Sequence, residues 1–322
     1  MTVLITGGGG FIGSHLVDDL LAGGNRVRVV DLNLERLAHL VHQPNLEAVA
    51  GDIAEPSLLG QLVSGVTVIY HLASAHLDVT LSEADYYRSN VAATGQLLEA
   101  AQAAGVKRVV HCSTNGVLGE IKQLPADENT PCQPTNVYER TKLAGERLAL
   151  QYGREHNLPV VVIRPAWVYG PRCPRTEKLI RTVSKGRFIM FGSGKTWRHP
   201  LYISDAVRGL TLAAQVETAP GQIYFIAGEQ PVSIEELVQR IGRLVGVTAP
   251  RWRLPIWLGQ LAGLGAEVAF KLLGQPPPLS RRSLDFFRKD NAYDIGKAKR
   301  ELGFQPQIDL ETGLKQTIEY YK

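Results

Sequence analysis

The sequence predicts an α/β protein built on a doubly wound parallel sheet, and three observations carry that reading. A short apolar run ends in a glycine cluster that opens directly into a helical pattern. Strand-like and helix-like segments then alternate through the first half, the arrangement that covers both faces of a parallel sheet with helices. The composition, 44% hydrophobic and 20% charged over 322 residues, can bury such a sheet in two domains at most.

Thr2 to Thr6 reads as a short buried strand. The turn Gly7-Gly8-Gly9-Gly10-Phe11-Ile12-Gly13 follows and leads into residues 14–21, apolar at helical period. Here the backbone can approach a pyrophosphate, which excludes side chains at Gly7 and Gly10, while Gly13 lets the helix pack on the strand. A second strand ends in Asp31, whose carboxylate can accept hydrogen bonds from an adenosine ribose and would repel a 2′-phosphate. NAD is therefore favoured over NADP, with the nearby Arg36 as the counterweight. Further strands are expected over 46–50, 66–71, 106–112 and 159–164, and helices over 57–63, 83–104 and 137–155. After Arg164 the rhythm becomes irregular, and Pro276-Pro277-Pro278 reads as a loop.

Net charge is +4, and the basic clusters Arg281-Arg282, Arg288-Lys289 and 297–300 read as solvated faces; no nucleic-acid module is recognisable. Cys112, Cys132 and Cys173 lack metal-ligand or disulfide-framework spacing, the histidines form no metal pattern, and no metal is expected. Free thiols and a first strand starting at residue 2 or 3 suggest a cytoplasmic protein. The stretch 255–273 is apolar but interrupted by Glu267, Lys271 and glycines, so a membrane span is not expected; a helix covering the substrate domain is the leading reading, with an apolar lid or interfacial binding as the alternatives.

The residues that bear chemistry are Tyr138 and Lys142. At i and i+4 they share one helical face. A phenol at its ordinary pKa of about 10 is a poor base at neutral pH, and an adjacent ammonium stabilises its phenolate.

Together these features resemble the extended short-chain dehydrogenases/reductases, the superfamily of NAD-dependent sugar epimerases, dehydratases and 3β-hydroxysteroid dehydrogenases. The resemblance runs nearly end to end: the glycine turn, Gly51-Asp52-Ile53, His71-Leu72-Ala73, Asn90-Val91 with Thr94-Gly95, Cys112-Ser113-Thr114, Tyr138/Lys142, Arg164-Pro165, Val168-Tyr169-Gly170-Pro171 and the tail 297–304. It implies a Rossmann-type NAD-binding domain over 1–168, with about 198–228 returning to it, and a substrate-binding domain mainly over 169–322. It implies Thr114, Tyr138 and Lys142 as catalytic. Cofactor contacts are implied for Gly7, Gly10, Phe11, Ile12, Gly13, Asp31, Asp52, Ile53, Leu72, Ala73, Asn90, Ser113, Pro165 and Val168, besides the catalytic pair. It also implies a homodimer pairing helices 83–104 and 137–155.

In this scheme Tyr138 takes the proton of a secondary alcohol as its carbon gives hydride to NAD. His76, Asn115, Trp167 and Arg198 are the expected substrate contacts. Family dehydratases follow the active Thr with Asp-Glu; Asn115 and Gly116 stand here, which argues against elimination. Arg198 aligns with an arginine that meets a sugar-nucleotide diphosphate, so a small, anionic nucleotide-sugar undergoing 4-epimerisation is the leading expectation. Trp167, where epimerases carry Asn, favours instead a flatter, sterol-like alcohol. A non-catalytic NAD sensor would have lost Tyr138, Lys142 or Thr114, and all three are present.

Overall fold

A computed structural model describes residues 1–76, 80–248, 253–272 and 281–322, without the side chains of 267–269, 271, 272, 281 and 282. The Pro276-Pro277-Pro278 stretch lies outside the described residues. Seven parallel strands form the central sheet: β1 (Thr2–Thr6), β2 (Arg26–Asp31), β3 (Leu46–Ala50), β4 (Val68–His71), β5 (Arg108–Cys112), β6 (Val160–Pro165) and the strand Ile223–Ile226. Their spatial order is Ile223–Ile226, β6, β5, β4, β1, β2, β3. The chain thus winds outward from β1 in both directions, and its switch point lies between β1 and β4.

Strand alternation builds a core on each face of the sheet. Val3, Ile5, Val68, Tyr70 and Val110 enter one cluster, while Leu4, Ile69 and Val109 enter the other. Helices α1 (Phe11–Ala22), α2 (Pro56–Val63) and α5 (Val137–His156) lie close to their expected spans. Pro56 occupies the first turn of α2, where its missing N–H costs nothing.

Two boundaries differ for identifiable reasons. Val106 belongs to a helix end rather than to β5: Gly105 takes a φ of 70°, and Val106 N–H bonds to Ala101 O at 3.0 Å, the capping geometry in which an apolar residue follows glycine. The helix expected over 83–104 is broken into α3 (Glu83–Tyr87), a π-helical turn (Arg88–Ala92) and α4 (Ala93–Ala103). At this turn α5 crosses closely: a Cβ on Gly145 would lie 2.3 Å from Asn90 O.

Beyond β6 the strands outside the central sheet are short. Trp167–Tyr169 pairs with Pro200–Tyr202, Trp197–Arg198 with Val232–Ser233, and Met190–Phe191 with Arg253–Leu254. The covering helix expected from 255–273 is present as Ile256–Leu272. Among the described residues no helix is long and apolar enough to cross a membrane.

Candidate active site

At the carboxyl ends of the strands a cleft of about 1060 Å³ runs from the glycine turn to the segment around Phe286. Its first end is shaped by backbone proximity. Gly7 has a φ of 74°, and a Cβ there would lie 2.6 Å from Ala73 N; one on Gly13 would lie 2.2 Å from Gly7 O. Gly10 is less constrained, with Gly7 O 3.1 Å from its would-be Cβ. Gly9, which sequence reasoning passed over, is tighter: a side chain would collide with Asn33 O at 1.9 Å. That closeness lets Gly9 N–H donate to Asp31 Oδ2 at 2.9 Å, while Asn33 N–H donates to Oδ1 at 3.1 Å. Each carboxylate oxygen retains a lone pair for a ribose hydroxyl. Asp52 lines the cleft too, held by Arg88 at 2.7 Å.

Tyr138, Lys142, Ser113 and Thr114 all line the cleft. Asn136 caps α5 by accepting from Glu139 N–H at 3.0 Å, which starts the helix one residue before Tyr138. Lys142 is 3% exposed, and its Nζ donates to Cys112 O at 2.7 Å. Burial pushes its ammonium below the ordinary lysine value, against the pull of Cys112 and Glu146. Thr114 begins the one-turn helix Asn115–Leu118: its Oγ1 accepts from Gly116 N–H at 3.1 Å and donates to Asn115 Oδ1 over a long 3.3 Å. The His76 ring meets Tyr138 edge-on, with centroids 4.8 Å apart.

Behind these groups lies a buried framework. Ser113 Oγ donates to Glu146 Oε2 at 2.6 Å, and Arg164 Nε donates to the same oxygen at 3.0 Å. Glu146 and Arg164 are both almost fully buried. Glu146 lies one turn beyond Lys142 on α5, a periodicity that could have revealed it. Asn90 does not line the cleft. Its amide bonds Ala75 O, Ala75 N–H and Thr141 Oγ1, tying the loop after β4 to the catalytic helix. The His71 ring likewise faces inward, bridging Thr6 Oγ1 at 2.7 Å and Thr94 Oγ1 at 2.9 Å, and burial lowers its pKa to about 3; Leu72 and Ala73 are the residues of that motif that reach the cleft.

The other end of the cleft bears on the diphosphate contact expected of Arg198. The Arg198 guanidinium is turned onto backbone carbonyls: Nη1 donates to Trp197 O at 3.0 Å and to Lys289 O, and Nη2 to Asp285 O at 2.9 Å and to Phe286 O. Four of its five N–H groups are thereby engaged, and burial lowers its pKa to about 10. It also sits 4.7 Å from the centre of the Phe286 ring. Arg198 lines the cleft and clamps the 285–289 segment through these carbonyls. Trp167 stacks on Tyr169 and meets Phe286 edge-on, with centroids at 5.8 and 6.3 Å, forming an aromatic wall.

Residues 285–293 were not anticipated at the site. Asn115 Nδ2 donates to the Tyr293 hydroxyl at 2.7 Å, and that hydroxyl donates to Asn291 Oδ1 at 2.7 Å. Glu139 supplies a carboxylate beside Gly116, but Thr135 N–H and Oγ1 donate to one of its oxygens at 2.7 and 2.9 Å, and Lys289 to the other at 3.2 Å. It fastens the 285–291 segment to α5.

Residues 3–227 match the model of the NAD dependent epimerase/dehydratase family. The chain belongs to this family. It is 33% identical to a dTDP-glucose 4,6-dehydratase of Streptomyces niveus, covering 100% of this chain and 93% of the relative. It is 31% identical to a 3 beta-hydroxysteroid dehydrogenase/Delta 5→4-isomerase of Mycobacterium tuberculosis, covering 99% and 90%. The solved UDP-glucuronic acid 4-epimerase from Bacillus cereus, in complex with UDP-glucuronic acid and NAD, superposes over 100% of this chain and 99% of its own with a TM-score of 0.82 and 27% identity. The chain is therefore an NAD-dependent enzyme of the extended short-chain dehydrogenase/reductase type. Its residues fit the cofactor: the approaches at Gly7 and Gly13 leave a cradle that any Cβ would fill, and the Asp31 carboxylate, lining the same cleft, would accept hydrogen bonds from a ribose. When bound, NAD supplies the acceptor for a hydride from a carbinol carbon.

Proposed function

We propose that this enzyme oxidises the secondary alcohol of an apolar, ring-bearing substrate of the 3β-hydroxysteroid type. The Tyr138 phenolate takes the carbinol proton, the Lys142 ammonium stabilises that phenolate, and Thr114 Oγ1 exchanges its long bond to Asn115 for one to the reacting oxygen. Overall identity favours neither substrate class, at 33% for the dehydratase and 31% for the steroid dehydrogenase. The observation that carries the reading is the engagement of Arg198 with four carbonyls beside the aromatic wall of Trp167 and Phe286. That end of the cleft offers flat apolar surface where a diphosphate would need a guanidinium fork.

A nucleotide-sugar 4-epimerase is the second reading. It is supported by Arg175, exposed at the start of the helix Pro174–Ser184 and lining the cleft, where a cation and a helix N-terminus could meet an anion. The purified protein, supplied with NAD and then with 3β-hydroxysterols or with UDP- and dTDP-sugars, separates the two. NADH formed with sterols supports the first reading. Interconverted sugar epimers without released NADH overturn it in favour of the second.

A further inference from the structure

The helix Ile256–Leu272 lies on the protein with its apolar order reversed. Gly259 and Gly263, four residues apart, are buried; a Cβ on Gly259 would lie 2.8 Å from the Phe191 ring and 3.0 Å from Leu284. The large apolar side chains point outward: Trp257 is 55% exposed, Leu261 61% and Leu264 43%. Residues 257, 261 and 264 follow helical spacing and form one stripe. Ile189, 42% exposed, lies next to Met190, whose backbone pairs with Arg253 at the foot of this helix. A surface helix normally buries such a stripe and exposes its small residues.

Cations adjoin it. Lys178, Arg181, Lys185 and Arg187 line a surface groove together with Glu177, which pairs with Arg181 at 2.8 Å, so the groove keeps a net positive charge; Arg187 stands only three residues before Met190. Between Pro255 and Ala266 the helix region itself carries no charge.

We propose that this face docks on an anionic lipid bilayer, the helix lying in the plane of the headgroups with Trp257, Leu261 and Leu264 inserted and the neighbouring cations on lipid phosphates. Charge selects this occupant. A second copy using the same patch about a two-fold axis would bring one cationic rim against another, whereas an anionic surface complements both parts of the patch. At 17 residues the helix is about 25 Å long, suited to lying on a bilayer rather than spanning it. Docking would also bring a cleft wall near the lipid, since Leu284, beneath Gly259, precedes Asp285 and Phe286 of the cleft. The inference is independent of the substrate reading, because it rests on a surface outside the catalytic groups.

The test is co-sedimentation of the full chain with phosphatidylcholine vesicles, with and without about 30 mol% phosphatidylglycerol. Binding is expected to the anionic vesicles only and to weaken with salt. It should fall about tenfold or more for Trp257→Ser/Leu261→Ser and for Lys185→Glu/Arg187→Glu. Both variants alter exposed side chains, and unchanged NAD affinity verifies that they are folded. No binding by the unaltered chain to anionic vesicles overturns the proposal, as does binding that both variants retain. A dimer in sedimentation velocity that dissociates in Trp257→Ser/Leu261→Ser assigns the face to a second copy and equally overturns it.

Discussion

Lys142 donates its ammonium to Cys112 O at 2.7 Å, so the last residue of β5 fixes the cation that stands one helical turn from Tyr138. The next residues, Ser113 and Thr114, leave the same strand end into the cleft. The hydroxyl, the phenol and the ammonium are thus referenced to one point on the sheet, and the buried pair Arg164 and Glu146 holds that point from behind through Ser113.

Glu146→Gln should therefore destabilise the fold as well as the site. It leaves the buried Arg164 guanidinium without its counter-charge, at a cost of about 3–5 kcal/mol. Urea denaturation should show a lowered midpoint; an unchanged midpoint would remove Glu146 from the framework.

Arg198→Met separates a clamp from a ligand contact. Three carbonyl contacts to residues 285–289 and one to Trp197 are lost, and stability should fall by about 2–4 kcal/mol in denaturant unfolding. A variant of full stability whose only defect is a raised KM for a sugar nucleotide would restore the diphosphate role.

Asp31→Ala should weaken NAD far more than NADP, because the carboxylate bonds a ribose hydroxyl in one and repels a phosphate in the other. Isothermal titration with both dinucleotides measures this. Equal losses would shift the discrimination to Arg36, which donates to Gly9 O at 3.3 Å.

The His71 pKa, lowered by burial to about 3 from 6.5, makes stability depend on pH. Between those values the unfolded chain binds the proton and the folded chain does not, so this contribution is complete above about 6.5 and is lost progressively as pH falls towards 3. His111, whose ring lies 5.3 Å away and whose pKa is lowered by the same cause, acts in the same direction. Melting temperature should drop on acidification through this window, and less steeply for His71→Gln. Equal slopes would mean that the ring is not held neutral.

The cofactor end was legible in the sequence because its parts are local: Gly7 to Gly13 make their own turn, and Asp31 ends the strand paired with β1. Tyr138 and Lys142 were legible for the same reason, being one turn apart on one helix. Arg198 was not. Three of its four carbonyl partners stand 87 to 91 residues onward, and a motif position cannot reveal that a guanidinium has turned to backbone. Tyr293, 178 residues from Asn115, was hidden in the same way. Asn90 was expected as a cofactor contact, but its amide is engaged by Ala75 and Thr141, partners 15 and 51 residues away that the motif does not reveal. The π turn within 83–104 left no mark on the apolar period.

The most direct test of the central claim is the turnover and NAD affinity of Tyr138→Phe, measured with whichever alcohol the substrate screen yields. Loss of the phenolic oxygen should lower turnover by at least about 10²-fold and leave NAD affinity within about twofold. Turnover near that of the unaltered enzyme would contradict Tyr138 as the base.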